Sequence, residues 1–184
     1  LESKTDAESL RLKRFLDMAD LSRTFGNPLA EIVRRVKELP LFKNFDDINI
    51  PEIVPASVSF DLFNFPLDHP ARSKSDTYYI DDKHILRTHD TVFWYYYLNR
   101  PEIKEHIQNS EAMGALCYGK VYRKDEIDRR HMNIFHQMGG WYIQPDAKGI
   151  LELDDLKKAL SEIVQTVFGK DIELVIEKAL RLLG

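Results

Sequence analysis

An α+β fold, with helices packed on an antiparallel sheet, is what this sequence predicts, and three stretches predict it. "NPLAEIVRRVKELP" repeats apolar residues at helical spacing behind a capping Asn27 and an initiating Pro28. "DDLKKALSEIVQTVFG" does the same over a longer run. Between them, "GKVYRKDEIDRRHMNIFHQMGG" holds two strand-forming runs around a charged turn, the pattern of a hairpin. Helices set beside an antiparallel hairpin belong to the α+β class.

In chain order, residues 7–18 are expected to form a short helix carrying Leu10, Phe15 and Leu16. The helix behind Asn27 presents Leu29, Ile32, Val33 and Val36 on one stripe and stops at Pro40. Together they make residues 1–40 a helical N-terminal segment of one 184-residue domain. "FDDINIPEIVPASVSFDLFNFP" follows, where Ile48, Ile50 and Ile53 among prolines suggest an interrupted edge strand. A polar loop leads into a short strand over Thr77–Ile80, a turn at Asp81 and Asp82, and a strand over His84–Thr88. "DTVFWYYYL" suits either state: its aromatics favour strand, while Asp90 as a cap favours helix. Helix is preferred because Asn99, Arg100 and Pro101 mark a break and a restart. "PEIKEHIQN" is then a second short helix. Residues 113–123 and 132–143 are the two hairpin strands. The last clear helix is capped by Asp154, lined by Leu156, Leu160, Ile163, Val164 and Val167, and ended by Gly169. "DIELVIE" alternates as a final strand, and "KALRLLG" leans helical.

Hydrophobic residues at 43% suffice for a core, and a formal charge of -4 argues against a surface that grips nucleic acid throughout. A local basic patch remains compatible with that balance. The single cysteine, Cys117, excludes an intrachain disulfide and a cysteine-rich zinc site, and cytoplasmic residence is the plain inference. No apolar run approaches the ~18 residues of a membrane span, and no apolar signal segment opens the chain.

On the second hairpin strand, alternation puts His131, Phe135 and Gln137 on one face and Met132, Ile134 and Met138 on the other. The second set reads as core and the first as a working surface. His131 and His136 are five apart and so point to opposite faces, which disfavours a shared metal ion; no metal site is expected. Cys117 lies within an apolar strand, where thiols are inert. What remains is Arg123 with Asp125 on one strand and a histidine and glutamine on its neighbour. Arginine's planar fork suits a phosphate or a carboxylate. An exposed cross-strand ion pair, worth ~0.2–1 kcal/mol, accounts for the same residues and is the better explanation on physics alone.

"HPARSKSDTYYID", "ILRTH" and "GKVYRKDEIDRRHMNIFHQ", in that order, resemble the catalytic core of phenylalanyl-tRNA synthetase α subunits, which are class II aminoacyl-tRNA synthetases. The likeness runs from about Phe15 to about Val175. It implies a class II sheet flanked by helices and ATP-dependent activation of phenylalanine, with Mg2+, followed by transfer to tRNA-Phe. By the same resemblance Arg123 holds the α-phosphate, Asp125 contacts the adenine end, His131 lies near the phosphates and Phe135 stacks on adenine. His89, Thr91 and Gln137 face the amino acid. A synthetase β subunit is the implied partner, with oligomerisation through the region from Ile48 to Phe65, the motif 1 side, although core packing explains its Phe60, Leu62, Phe63 and Phe65 equally well.

Three departures stand beside the likeness. Gly139 replaces the acid that family members use to hold the substrate ammonium. Asp90 stands where threonine is usual, and is a candidate to supply the missing charge. The family's pocket wall and its motif 3 arginine are not matched after "DIELVI". An alternative reading follows from these departures: a synthetase-like binding or assembly module that keeps the fold without aminoacylation.

Overall fold

The computed structural model describes residues 1 and 3–176. Helix α1 (Ala7–Asp17) starts where Asp6 accepts from the Ser9 backbone N–H at 2.9 Å. Its inward residue is Leu12, only 2% exposed and packed with Tyr78, Leu86 and Tyr122. Phe15 and Leu16 flank it as expected, whereas Leu10 faces solvent. Helix α2 (Pro28–Lys37) begins as its sequence dictates: Asn27 Oδ1 accepts from the Leu29 N–H at 3.0 Å, and Pro28 takes the first helical position. Val33 and Val36 are buried, and a 3₁₀ turn starts at Pro40.

The interrupted strand resolves into β1 (Asp46–Ile48) and β2 (Ile53–Pro55), broken at Pro51. The two pieces enter different sheets. β1 pairs in parallel with β4 (Met113–Tyr122), which pairs antiparallel with β5 (Ile134–Ile143). β2 pairs antiparallel with β3 (His84–Leu86). The larger sheet is therefore mixed rather than wholly antiparallel. A backbone bond from Tyr122 N–H to the Arg87 carbonyl, 2.9 Å, joins the two sheets. The strand expected over Thr77–Ile80 is reduced to one bridge between Tyr79 and Ile85, and β3 ends at Leu86, before Thr88.

A one-turn helix, α3 (Ala56–Ser59), follows β2. In that region Ile48, Ile50, Val54, Val58 and Phe60 are buried, and Phe63 and Phe65 pack against the same core. Core packing thus accounts for these phenylalanines, and Leu62 is left exposed. The aromatic run is helical from Phe93 (α4, Phe93–Leu98), preceded by a 3₁₀ turn over Asp90–Val92. Asp90 is not its cap: it is the first residue inside the turn, and His89 precedes it in extended conformation. Helix α5 (Pro101–Gln108) follows. Helix α6 (Leu153–Phe168) is capped by Glu152, not Asp154, because Glu152 and Asp155 form a reciprocal capping box. Ile163 and Val167 pack against Val36, Phe42 and Leu116, while Leu156 and Leu160 stay exposed. Residues 171–176 of "DIELVIE" form no strand, since none of their backbone joins a ladder; Glu177 and "KALRLLG" lie outside the described residues.

Two buried cations lock the centre. Lys120 Nζ, on β4, donates to the carbonyls of Phe15, Leu16 and Met18 at 3.2, 3.0 and 2.5 Å and pairs with Glu52 at 3.2 Å. Helix C-termini leave carbonyls without partners inside the helix, so this ammonium fastens the end of α1 to the sheet. Arg87 donates Nε to the Lys120 carbonyl at 2.6 Å and Nη1 to the Ile50 carbonyl at 3.1 Å.

Candidate functional site

The hairpin does not close in a tight turn. Tyr122 pairs with Ile134, leaving residues 123–133 as a loop. Asn133 shuts its base: its amide donates to the carbonyls of Arg123 and Asp125 at 3.2 and 2.8 Å, and its Oδ1 accepts from Arg11 at 2.8 Å. Nothing in the alternation singled out Asn133; its signal is a polar side chain, 6% exposed, between two strands.

β5 sends its even positions toward the N-terminal helices. Ile134 packs with the Leu12 cluster and Met138 with the Val36 cluster. His136 Nε2 accepts from the Leu21 N–H at 3.0 Å and lies 3.3 Å from Asp20. The odd positions face the other way. Phe135 lies beneath the Arg123 guanidinium, 5.2 Å from carbon to ring centroid. Gln137 Oε1 accepts from the Asp90 N–H at 3.0 Å, and Trp141 meets Tyr97. Phe135 and Gln137 therefore share a face as predicted. His131 does not join them. It stands on the exposed loop, its Nδ1 3.0 Å from Asp128, because the loop begins before the strand pairing can orient it. Met132 is 58% exposed and is not core, for the same reason.

The ion pair that would have explained Arg123 and Asp125 is not formed. Arg123 Nε donates to the Thr88 carbonyl at 3.1 Å, and among the described residues neither Arg123 nor Asp125 makes a salt bridge. Arg123 is thus held at one nitrogen and over one ring, with its two Nη groups uncommitted to any carboxylate. Such a fork is what a phosphate requires.

At the other end of this face stand His89 and Asp90. His89 Nε2 donates to the Ser59 carbonyl at 3.2 Å, so Nδ1 carries a lone pair; it is buried without a partner. Burial holds this histidine below its ordinary pKa, hence neutral. Phe63 meets its ring edge-on at 5.1 Å. Asp90 Oδ2 is likewise buried without a partner, and burial pushes its carboxyl above the ordinary aspartate value. Thr91 lies in the same 3₁₀ turn, partly buried. Cys117 is buried in β4 with its thiol pushed up to about 12, which makes it unreactive.

The Asp90 shift predicts a pH dependence. Between the unfolded value of about 4 and the raised folded value, the folded chain keeps a proton that the unfolded chain has lost. Stability therefore falls as pH rises through that window and stays lower above it. A backbone hydrogen bond and the charge of Arg87 only partly offset its burial. Asp90→Asn should melt higher than the wild type at pH 8, by about 1 kcal/mol, and the gap should close as pH falls toward about 4. Thermal melts across pH check this.

No group of three or more His, Cys, Asp or Glu able to hold a metal ion occurs among the described residues. None of their helices is long and apolar enough to cross a membrane. An open depression of about 550 Å³ lies on another side, lined by Arg23, Phe25, Val33, Arg34, Lys37 and Tyr118 among others. None of the sequence-predicted site residues lines it, and its cations are already paired, Arg23 and Lys37 with Asp47 and Arg34 with Glu31 and Glu38. Unpaired donors and acceptors remain on the sheet face instead.

Residues 15–180 match the tRNA synthetases class II core domain (F). The chain belongs to the class II tRNA synthetase family. A phenylalanine–tRNA ligase alpha subunit from Mycoplasmoides gallisepticum is 34% identical over 158 residues, covering 86% of this chain and 43% of that subunit. The alpha subunit from Ligilactobacillus salivarius is 28% identical over 182 residues, covering 94% of this chain and 50% of its own length. The mitochondrial phenylalanine–tRNA ligase of Saccharomyces cerevisiae is 39% identical over 130 residues, 67% of this chain and 26% of that enzyme. The chain spans about half, or less, of the length of these curated relatives. Among solved structures, a pyrrolysyl-tRNA synthetase from Desulfitobacterium hafniense superposes with a TM-score of 0.64 at 19% identity, over 97% of this chain and 65% of that one. At that identity the likeness establishes the class II fold.

Within this class II core, the structure brings Arg123, Phe135, Gln137, Asp90 and His89 to one side of the sheets and leaves His131 on the rim. The fastening residues Arg87, Lys120 and Asn133 escaped the sequence reading. Their types, two cations and an amide inside strand-rich text, were the available signal.

Proposed function

We propose that this chain is the core of a phenylalanine–tRNA ligase alpha chain, which activates phenylalanine with ATP and transfers it to tRNA-Phe. The observation that carries the reading is Arg123, fixed by Thr88 and stacked on Phe135 yet without an anionic partner among the described residues. A nucleotide supplies both groups this pair lacks: a phosphate for the guanidinium and a flat base for the ring. Asp125, its backbone pinned by Asn133 and its carboxylate unpaired, fits contact with the amino edge of adenine. Gln137 has its oxygen engaged by Asp90 N–H, which leaves its amide NH2 to donate toward an amino acid. His89 and Thr91 border that end of the face. His131 would meet a nucleotide only from the solvent side.

In this reaction the phenylalanine carboxylate attacks the α-phosphorus of ATP, forming the adenylate and releasing pyrophosphate. Arg123 counters the negative charge that builds on the phosphate oxygens, and it is already oriented before the reaction begins. Mg2+ is expected to arrive with the ATP phosphates and to neutralise their charge. A β subunit and tRNA-Phe belong to the same proposal, supported by the names of the relatives; the Ile48–Phe65 region expected as an interface is accounted for by core packing.

The test is calorimetric titration of the chain with Mg-ATP, followed by a thermal-shift screen of the twenty amino acids in its presence. Saturable ATP binding and a shift led by phenylalanine are expected. No saturable ATP binding would overturn the reading.

A further inference from the structure

Gly139 sits in the middle of β5, paired with Cys117 of β4. Glycine is unfavourable there, since it has no side chain to pack and loses the most freedom on folding. Its backbone gives no reason for the choice, because its φ is not in the left-handed region. Space gives the reason. A Cβ at Gly139 would lie 2.1 Å from Asp90 Oδ2, closer than any real contact. The Asp90 carboxylate thus occupies the volume a side chain at 139 would need. The turn that carries it is tied to the same strand two residues away, through the Asp90 N–H and Gln137 Oε1.

That carboxylate is otherwise unexplained. Its inward oxygen is buried and has no hydrogen-bond partner among the described residues. No lysine or arginine forms a salt bridge with it among the described residues. A buried carboxylate oxygen without a partner destabilises the fold, so its retention over a strand glycine calls for a ligand that satisfies it. The group required is a small cation that donates hydrogen bonds. A primary ammonium meets both conditions.

We propose that Asp90 is the cation anchor of this site, receiving the α-ammonium of the amino-acid substrate, and that Gly139 is its steric counterpart. The identity of the ligand as an amino acid rests on the function proposed above; the anchor itself rests on the geometry. A side chain at 139 would displace the Asp90 carboxylate from the place it holds, so the two positions act as one unit.

The experiment titrates the chain by calorimetry with L-phenylalanine, with 3-phenylpropionate, which lacks the ammonium, and with phenethylamine, which lacks the carboxylate. Charge-assisted hydrogen bonds are the strong ones, and both ammonium-bearing ligands should bind at least about tenfold more tightly than 3-phenylpropionate. Asp90→Asn should bring the three within about threefold, on the same scale. Gly139→Ala, which drives a methyl into the carboxylate, should do the same while leaving Asp90 present. A melting temperature for Asp90→Asn at or above the wild type shows that the loss is not unfolding. The double variant Asp90→Thr with Gly139→Glu should recover the preference by returning an acid from the strand side. A preference for the ammonium that survives Asp90→Asn overturns the anchor, while phenylalanine binding in that case leaves the functional reading standing. Asp90-dependent binding of phenethylamine without binding of phenylalanine supports the anchor and overturns the functional reading. Absence of binding by all three ligands overturns both.

Discussion

Arg123→Ala is expected to weaken Mg-ATP binding by about two orders of magnitude, from the loss of a two-pronged charged contact. The fold should barely notice. Arg123 contributes one bond to the Thr88 carbonyl and a stacking contact with Phe135, both at the edge of the sheet. Arg123→Lys should recover only part of the affinity, because lysine restores the charge but not the planar fork, and cannot donate to Thr88 from the same position. Calorimetric dissociation constants for the three proteins, with melting temperatures measured in parallel, check both statements. An alanine variant that binds ATP as well as the wild type would remove the nucleotide from this hairpin. The phenylalanine-led thermal shift would then need another origin.

Gly119→Val carries the largest expected effect on stability. Gly119 lies in β4 opposite Gln137 with φ +150°, a backbone conformation that L side chains rarely adopt. A Cβ there would stand 2.4 Å from Arg87 Nη2 and 2.9 Å from Asp20 Oδ2. To make room, Arg87 must give up its bonds to the carbonyls of Lys120 and Ile50. Breaking a buried charged network leaves a charge without partners, which costs about 3–5 kcal/mol. The loss should reach about 4 kcal/mol or more, a large part of the 5–15 kcal/mol that holds a domain of ordinary stability. Urea unfolding followed by circular dichroism measures it. A loss below about 1 kcal/mol would place the substitution with ordinary surface changes, as though Arg87 could swing aside freely.

The two positions show why Arg87 and Lys120 matter to a site they do not line. Lys120 fastens α1 to β4, and Arg87 fastens the Ile50 segment to the same strand. The Arg87 carbonyl then receives the Tyr122 N–H, one residue before Arg123 leaves the sheet. The carbonyl that holds the Arg123 guanidinium belongs to Thr88, the residue after Arg87. The candidate nucleotide contact is thus built at the junction of the two sheets, and its orientation depends on how they are joined.

Local rules read from the sequence alone held where the physics was local. Asn27 and Pro28 start α2 because a side-chain oxygen and a missing N–H satisfy a helix start wherever they occur. The alternation of β5 put Phe135 and Gln137 on one face because side chains alternate along any strand. The ordered motifs, with Arg123, Phe135 and Gln137 in them, were enough to indicate a class II synthetase core, and residues 15–180 match that domain. Other features depended on partners far along the chain. His131 left the face because the pairing of β4 with β5 begins only at Ile134. "DIELVIE" alternates like a strand, but alternation makes no strand without a neighbour to bond, and residues 171–176 have none among the described residues. Glu152, rather than Asp154, caps α6 because Asp155 is placed to return the bond. The sequence offered Asp90, 49 positions away, as a candidate for the charge lost at Gly139; only tertiary structure puts its Oδ2 2.1 Å from where a Cβ at 139 would stand. Sequence fixes which groups are available through bonds a few residues long, while contacts between distant segments decide which of those groups are left without partners for a ligand to satisfy.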